Sequence, residues 1–319
     1  MNKHIISFIL LFLTAGFGGC ANSNIQISKD RLASIGTSTV KITAQTDFYP
    51  PIMHTAKWLK PEPLAGGVNT SGAEDSPFIT PDGQNLYFFF TPDPNIPVQK
   101  QVSDGVTGIY ISRLNNGQWS QAERVVLQDK NKLSLDGCEF VQADTIWFCA
   151  ARQGYTDLNW FTAQYKDGRW QNWKIAPQQF KDYQIGELHF TTDKQQIYFH
   201  SDRSGGLGQY DIWMSEIKNG IIQPPINISA VNSPQADGWP YISQNGEEMY
   251  FTRTYLGSPS IWRSQKINGQ WQTPELLISQ FAGEPSLDNQ GNLYFVHHYY
   301  KDNKMLEADI YVARQADKK

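Results

Sequence analysis

One short pattern recurs along this chain of 319 residues and restricts its folding more than any other feature. An aromatic pair or near-pair appears as LYF ending at Phe88, IWF at Phe148, IYF at Phe199, MYF at Phe251 and LYF at Phe295, at spacings of 60, 51, 52 and 44 residues. A period of that length marks one supersecondary unit used several times. In three of the repeats the pair is preceded by a short strand and a turn, SPFITPDGQ, WPYISQNGE and EPSLDNQG, and the Asp-Gly and Asn-Gly steps of the first two supply the positive φ angles of a tight hairpin. A third strand follows each pair: GIYIS, NWFTA, DIWMS, SIWRS and DIYVA. Three repeats then pass through another glycine turn into Trp119, Trp170 or Trp271, which makes four strands per unit.

Four antiparallel strands repeated five times predict an all-β chain, a five-bladed β-propeller of four-stranded blades with aromatics filling the wedges between them. Composition agrees, because 13% aromatic against 18% charged residues suits half-buried pleated strands better than charged helices. The fifth unit runs out soon after its third strand, DIYVA, so its outer strand has to come from elsewhere. The segment WLKPEPL from Trp58 matches WQTPELL from Trp271, which predicts that an N-terminal strand around Trp58 completes the last blade and leaves it no bare edge.

The units SPFITPDGQNLYFFF and LHFTTDKQQIYFHSDRSGGLGQYDIW resemble the TolB-like, WD-type (PD40) propeller repeats of bacterial envelope proteins, over Trp58 to Ala313. The resemblance implies a periplasmic scaffold or envelope binding protein, and related propellers include enzymes. Fold likeness does not choose between these.

The N-terminus obeys different rules. Lys3 precedes the apolar run Ile5 to Leu13, and the small-residue stretch FGGC ends at Cys20, which is the order of a secretory signal. The cysteine after two glycines resembles the lipobox of bacterial lipoproteins and implies lipidation at Cys20, with Phe17 where that family usually has Leu. Because Ala21 is not the Asp of that family's inner-membrane retention rule, the resemblance implies the outer membrane, with the domain on its periplasmic side or at the surface. The expected organisation is residues 1–19 as signal peptide, 20–45 as a polar tether, and 46–319 as a single propeller domain. A net charge of −4 without a Lys/Arg cluster excludes the electrostatic footprint of nucleic-acid binding.

The start of the first strand and the end of the second lie at the same end of a hairpin. Acids stand at the strand starts of all five units: Glu74 and Asp75, Asp136 with Glu139, Glu187, Asp237, and Glu284. The ends of the second strands add Arg152, Arg203, Arg253, Tyr255, His297 and His298. Two readings follow. As a binding face, these residues form a pocket for a polar ligand, an envelope protein or polysaccharide, with Trp239 and Tyr255 stacking and Arg253 as a forked donor. Acids that recur in every blade, such as Glu74, Asp136 and Asp237, equally suit a structural task each blade needs. As an enzyme, the chain resembles five-bladed glycoside hydrolases, with Glu187 or Glu284 as proton donor and Asp136 or Asp237 as base. A partner on the lateral surface of the blades is a third possibility.

No metal or cofactor is implied: His189 and His200 face each other across one hairpin and His297 and His298 are adjacent, but no ligand spacing of a known metal site occurs. Asp202, Arg203 and Asp211, around the SGGLGQYD loop, read as a blade-stabilising set. If the turn in CEFVQADTIWFC centres between Ala143 and Asp144, Cys138 faces Cys149 and the two can form a cross-strand disulfide; a one-residue bulge would separate them.

Overall fold

The computed structural model describes residues 30–129 and 132–316. The expected signal peptide and Cys20 lie outside the described residues. Among the described residues no helix is long and apolar enough to cross a membrane, and the helices are two single turns, Val98–Gln101 and Gln179–Asp182. The rest is strand, turn and loop; the strands pair antiparallel apart from one parallel bridge, Ala308 with Ala73, and the second, third and fourth repeats each lie in a sheet of their own.

The chain divides into two compact units. The first contains Pro63–Ala176, His298–Ile310 and the described residues up to Phe48. Here the first repeat runs Ala73–Ile79, Asn85–Thr91 and Gly108–Asn115, with a broken outer edge at Gln118–Trp119 and Glu123–Arg124. The second is a four-stranded sheet of Ser134–Gln142, Thr145–Arg152, Asn159–Lys166 and Arg169–Ile175. Each expected aromatic is buried: Phe88 pairs across its hairpin with Tyr110, and Phe148 with Phe161, all inaccessible to solvent. The inward rows of two strands thus set ring against ring, with centroids 6.2 and 5.8 Å apart.

The second unit contains Tyr49–Glu62, Pro177–His297 and the described residues from Tyr311 on. Its third repeat is Leu188–Phe190, Gln196–Ser201 and Asp211–Lys218 with short outer pieces at Ile221–Ile222 and Ile226–Asn227; its fourth is Asp237–Ile242, Glu248–Tyr255 and Ser258–Ile267, edged by Gln270–Trp271 and Glu275–Ser279. Tyr198, Ile212, Val231, Ile242, Met249 and Phe251 make one buried cluster that joins these repeats, with Trp262 and Trp271 against it. The fifth repeat begins with Ala282–Leu287 paired to the strand that starts at Leu293. The hairpin turns are fixed by side chains: the hydroxyls of Thr80, Thr191 and Ser243 donate to Asp82, Asp193 and Asn245 two residues on, which closes each turn on itself.

The segment around Trp58 pairs with the end of the chain. Trp58 bridges Gln315, the Leu59 N–H donates to the Arg314 carbonyl and the Ala316 N–H to that of Lys57. The Trp58 indole is buried, donates to the Gly291 carbonyl at 2.7 Å and meets the Tyr250 ring edge-on. In the first unit the Leu64 N–H continues the run to the Ile310 carbonyl. Slightly upstream, Ile52–Met53 adds an unexpected strand beside Glu275–Ser279.

The stretch read as a polar tether is different where the structure describes it. Residues from Asp30 lie against the first unit, Leu32–Ser34 forms a 3-10 turn, and Arg31 is buried to 3% exposure. A tether of polar composition has become part of the fold because two of its cations find acids on the sheets.

Two register expectations also change. Gln142 faces Thr145 as counted, but a bulge after Gly137 sets Cys149 opposite Gly137, not Cys138. The bulge does not separate the cysteines: Cys138 takes a positive φ of 56° and joins Cys149 in a disulfide, with Cα atoms 5.5 Å apart. His189 pairs with Tyr198 and not with His200, since the register brings His200 to Glu187, whose carbonyl accepts from the His200 N–H at 3.2 Å.

Candidate functional site

The bulge that re-aims Cys138 recurs. Register shifts fall after Asp75, Gly137, Gly238 and Gly283, and the next residue, Ser76, Cys138, Trp239 or Glu284, has φ between 49° and 56°. A non-glycine residue in that left-handed region costs of order 1 kcal/mol, so four repeats hold the same strain at the same place. No sequence signal marked it, since none of the four carries glycine at the turned position. In the first, second and fourth repeats an acid, Glu74, Asp136 or Asp237, stands two residues before the turned position, whereas in the fifth Ala282 stands there and the acid Glu284 is itself the turned residue.

In the second unit, Asp237 begins the fourth repeat and is fully buried. It accepts from Arg253 Nε and from the Ser233 hydroxyl and N–H. Burial raises its pKa, against the pull of the Arg253 guanidinium. Arg253 in turn donates to the Val231 carbonyl and lies 4.7 Å over the Trp262 ring and 5.3 Å over that of Phe251. Trp239, at the bulge, is half-buried; its N–H donates to His200 Nδ1 at 3.3 Å and its ring lies 4.8 Å from the imidazole. Accepting at Nδ1 fixes His200 as the Nε2–H tautomer, and complete burial pushes its pKa down to about 3. Tyr255, one-third exposed, stands edge-on to Trp262. Arg203 covers Trp213 at 5.0 Å and Tyr183 at 5.7 Å. Asp211 caps the glycine loop, accepting from Leu207 N, Gly208 N and Asn227 Nδ2, while Asp202 is exposed. His297 is buried against Tyr311, 5.1 Å between centroids. Glu187 and Glu284 are half-buried.

The first unit repeats the ion-pair arrangement. Asp136 accepts from Arg152 Nη2 at 3.1 Å and from the Ser134 hydroxyl, and Arg152 lies over the Phe148, Phe161 and Trp173 rings at 4.9, 4.8 and 4.6 Å. Glu74 accepts from Arg31 Nη1 at 2.9 Å, the Thr70 N–H at 2.8 Å and the Thr70 hydroxyl at 2.6 Å. Burial pushes it up to about 8 despite the guanidinium. Asp75, on the other side of the strand, lies 3.3 Å from His298 Nε2, and Glu139 is buried.

The expected site residues therefore separate by exposure. Asp136 is spent on Arg152, Asp237 on Arg253 and Glu74 on Arg31, and His297 is enclosed. Trp239, Tyr255, Arg203, Glu187 and Glu284 of the second unit keep surface that a ligand can reach. Asp75 and His298 of the first unit are 10% and 14% exposed at their side chains. Sequence reasoning missed Arg31, which lay in the expected tether, and missed a cleft at the opposite, turn end of the hairpins. That cavity, about 300 Å³, is lined by Lys57, Trp58, Glu248, Tyr250, Asp288 and Gln315 among others. Glu248 there accepts from Tyr250, Arg263 and, at 3.6 Å, faces Lys57 Nζ, and it titrates below the usual carboxylate range although burial opposes this. Among the described residues no group of three or more His, Cys, Asp or Glu is placed to hold a metal ion.

No family model matches this sequence, and no curated protein matches it. Among solved structures, the endo-arabinase of Bacteroides thetaiotaomicron VPI-5482 superposes with a TM-score of 0.51 at 12% identity, over 80% of this chain and 98% of that one. The fold is a β-propeller. TolB of Acinetobacter baumannii is similar over 77% of this chain with a TM-score of 0.46 at 15% identity, and the chain spans 55% of its length. A protein of unknown function from Dyadobacter fermentans DSM 18053 is similar over 84% of this chain and 100% of its own, with a TM-score of 0.46 at 12% identity. At 12% identity the likeness to the endo-arabinase structure shows the fold and no activity.

Proposed function

We propose that this propeller is an exported, lipid-anchored envelope protein that binds a polar partner, a glycan or a protein segment, at the strand-start ends of its third to fifth repeats. The five repeats close as five blades, with the strand around Trp58 completing the fifth, and the signal sequence with Cys20 tethers the domain to the outer membrane. The observation that carries the binding reading is the fate of the strand-start acids. Asp136 and Asp237, the candidate bases of a hydrolase, are buried and ion-paired with Arg152 and Arg253, and a general base has to come within hydrogen-bond reach of the proton it takes, which an enclosed carboxylate does not. The half-exposed Trp239, Tyr255 and Arg203 offer ring faces and a forked donor instead, the chemistry by which sugars and peptides are held.

Glu187 and Glu284 favour the second reading, a glycan-cleaving enzyme, because they alone of the four candidate catalytic acids keep solvent access. One screen separates the two. The chain without its signal and Cys20 is exposed to a panel of envelope and environmental polysaccharides while thermal shift and released reducing ends are read together. Stabilisation without product, lost in Trp239→Ala, supports the binding reading. Released sugar that vanishes in Glu187→Gln or Glu284→Gln overturns it in favour of the enzyme.

A further inference from the structure

Four repeats place a cation over the ring pair behind the first strand, and in three of them it comes from the end of the second strand; in the first, Arg124 of the outer edge lies over Tyr110 at 5.6 Å but no cation comes from the second strand. Aligned on Phe148, Phe199 and Phe251, Arg152 and Arg203 stand four residues further on, Arg203 just past the end of its strand, and Arg253 two. Arg152 covers the cross-strand pair Phe148 and Phe161, and Arg253 covers Phe251 and Trp262. Arg203 covers Trp213, the partner of Phe199. The first repeat has Phe90 and Pro92 at these two positions, so its second strand brings no cation to the pair Phe88 and Tyr110. It keeps the acid, Glu74, fully buried.

Arg31 fills the gap from 43 residues upstream. Its guanidinium lies 5.3 Å over Phe88, 5.3 Å over Phe90 and 5.8 Å over Tyr110, pairs with Glu74, and donates to the Gly67 and Val68 carbonyls. It thus occupies the same cross-strand pair that Arg152 covers in the second repeat. Ten residues later, Lys41 makes a second contact of the same kind: its ammonium bonds Glu307 and Asp309, both buried, and lies 5.6 Å over the Tyr299 ring, while the Ile42 N–H donates to Glu307 at 3.0 Å. Apolar burial does not hold this segment, since Leu32 and Val40 are 53% and 81% exposed. The two cations do.

We propose that residues 31–41 are a ligand of the fold carried on the same chain: the first unit has two acidic, aromatic-walled receptor sites for a guanidinium and an ammonium, and the N-terminal segment occupies both. The chemistry of these sites, a buried carboxylate beside ring faces, fits the Arg or Lys of any extended basic segment. With Arg31 and Lys41 in place they are closed to one, and residues 31–41 of the expected tether are clamped to the first unit.

Limited trypsin digestion of the full chain, followed by mass, tests this, because trypsin cuts after the two residues concerned. Protection in the native state reflects how rarely a segment opens. The expected result is cutting at Arg31–Leu32 and Lys41–Ile42 at least about tenfold slower than at the exposed hairpin bond Lys218–Asn219. Glu74→Gln should speed the cut after Arg31, and Glu307→Gln with Asp309→Asn the cut after Lys41, each leaving Lys218 unchanged. Should a variant also expose the buried Arg152, it has unfolded, and the wild-type rates alone decide. Cutting after Arg31 as fast as after Lys218 in the wild type, or unaltered by Glu74→Gln in a folded variant, overturns the proposal.

Discussion

The first and second repeats solve one problem by two routes. Both bury an acid at the start of the first strand and a pair of facing rings behind it, Phe88 with Tyr110 and Phe148 with Phe161. In the second repeat the counter-ion is local, Arg152, sixteen residues from Asp136. In the first it is Arg31, from a part of the chain with no strand of its own. The difference teaches that the requirement belongs to the repeat and not to any one sequence position: a carboxylate taken out of water needs a cation, and selection is satisfied by any cation that arrives with the right geometry. It also means that the first repeat draws the partner of its buried acid from the N-terminal segment, whereas the second draws it from its own second strand.

Breaking the local pair should have the largest effect. Arg152→Met leaves the buried Asp136 with the Ser134 hydroxyl as its hydrogen-bond partner and only the charge of Arg124 to offset its own, which costs about 3–5 kcal/mol in unfolding by denaturant. Trp58→Ala removes a buried indole, its hydrogen bond to Gly291 and its contact with Tyr250, and is expected to cost about 3–5 kcal/mol as well. Reduction of Cys138–Cys149, which closes a loop with a sequence separation of 11, should cost the second repeat about 2–3 kcal/mol and leave the trypsin protection of Arg31 unchanged. The smallest effect belongs to Lys41→Met, about 1 kcal/mol, because burial already pushes Glu307 up to about 7 and it takes up a proton when the ammonium is lost.

Acidity sharpens the comparison further. Glu74 and Glu307 titrate at about 8 and about 7 in the fold, above their ordinary 4.5, so the folded chain binds more protons than the unfolded one between those values and 4.5. These two groups therefore add stability as pH falls from 8. His189 and His200, both pushed down to about 3 by burial from an ordinary 6.5, act the other way: the stability of their neutral state is fully present above 6.5 and is lost as pH falls towards 3. Unfolding stability should rise on acidification to about pH 6.5, level off, and fall below about 4.5, by roughly 1.4 kcal/mol per pH unit for each histidine. Glu74→Gln should flatten the upper limb, and His200→Gln should lower the slope of the acid limb by one proton, both measurable from denaturant midpoints across pH.

How much of this the sequence disclosed follows from the range of the interaction involved. The repeats were legible because Phe88, Phe148, Phe199, Phe251 and Phe295 mark a period, and the strands on either side are set by local alternation. The pairing of the Trp58 segment with the chain end was legible because two halves of one pattern, WLKPEPL and WQTPELL, stood far apart. The disulfide partners were legible, but their register was not, since a bulge of one residue has no signature when a Cys, a Trp, a Ser or a Glu takes the left-handed position. Strand-start acids looked alike in the sequence and proved to differ: Asp237 is enclosed by Arg253, whereas Glu284 is half-open. Burial separates them, and burial is a property of the folded sheet. Arg31 was legible only as an absence, the missing cation after Phe88, which gains meaning once Arg152 and Arg253 are seen on their ring pairs.

The equivalence of the two routes is tested most directly by the unfolding free energy of Arg31→Met beside that of Arg152→Met, at pH 9, above the value of about 8 at which Glu74 titrates. The account predicts losses within about 1 kcal/mol of each other, both near 3 kcal/mol or more. A loss below about 0.5 kcal/mol for Arg31→Met, with Arg152→Met strongly destabilised, would contradict it and return the N-terminal segment to the status of a tether.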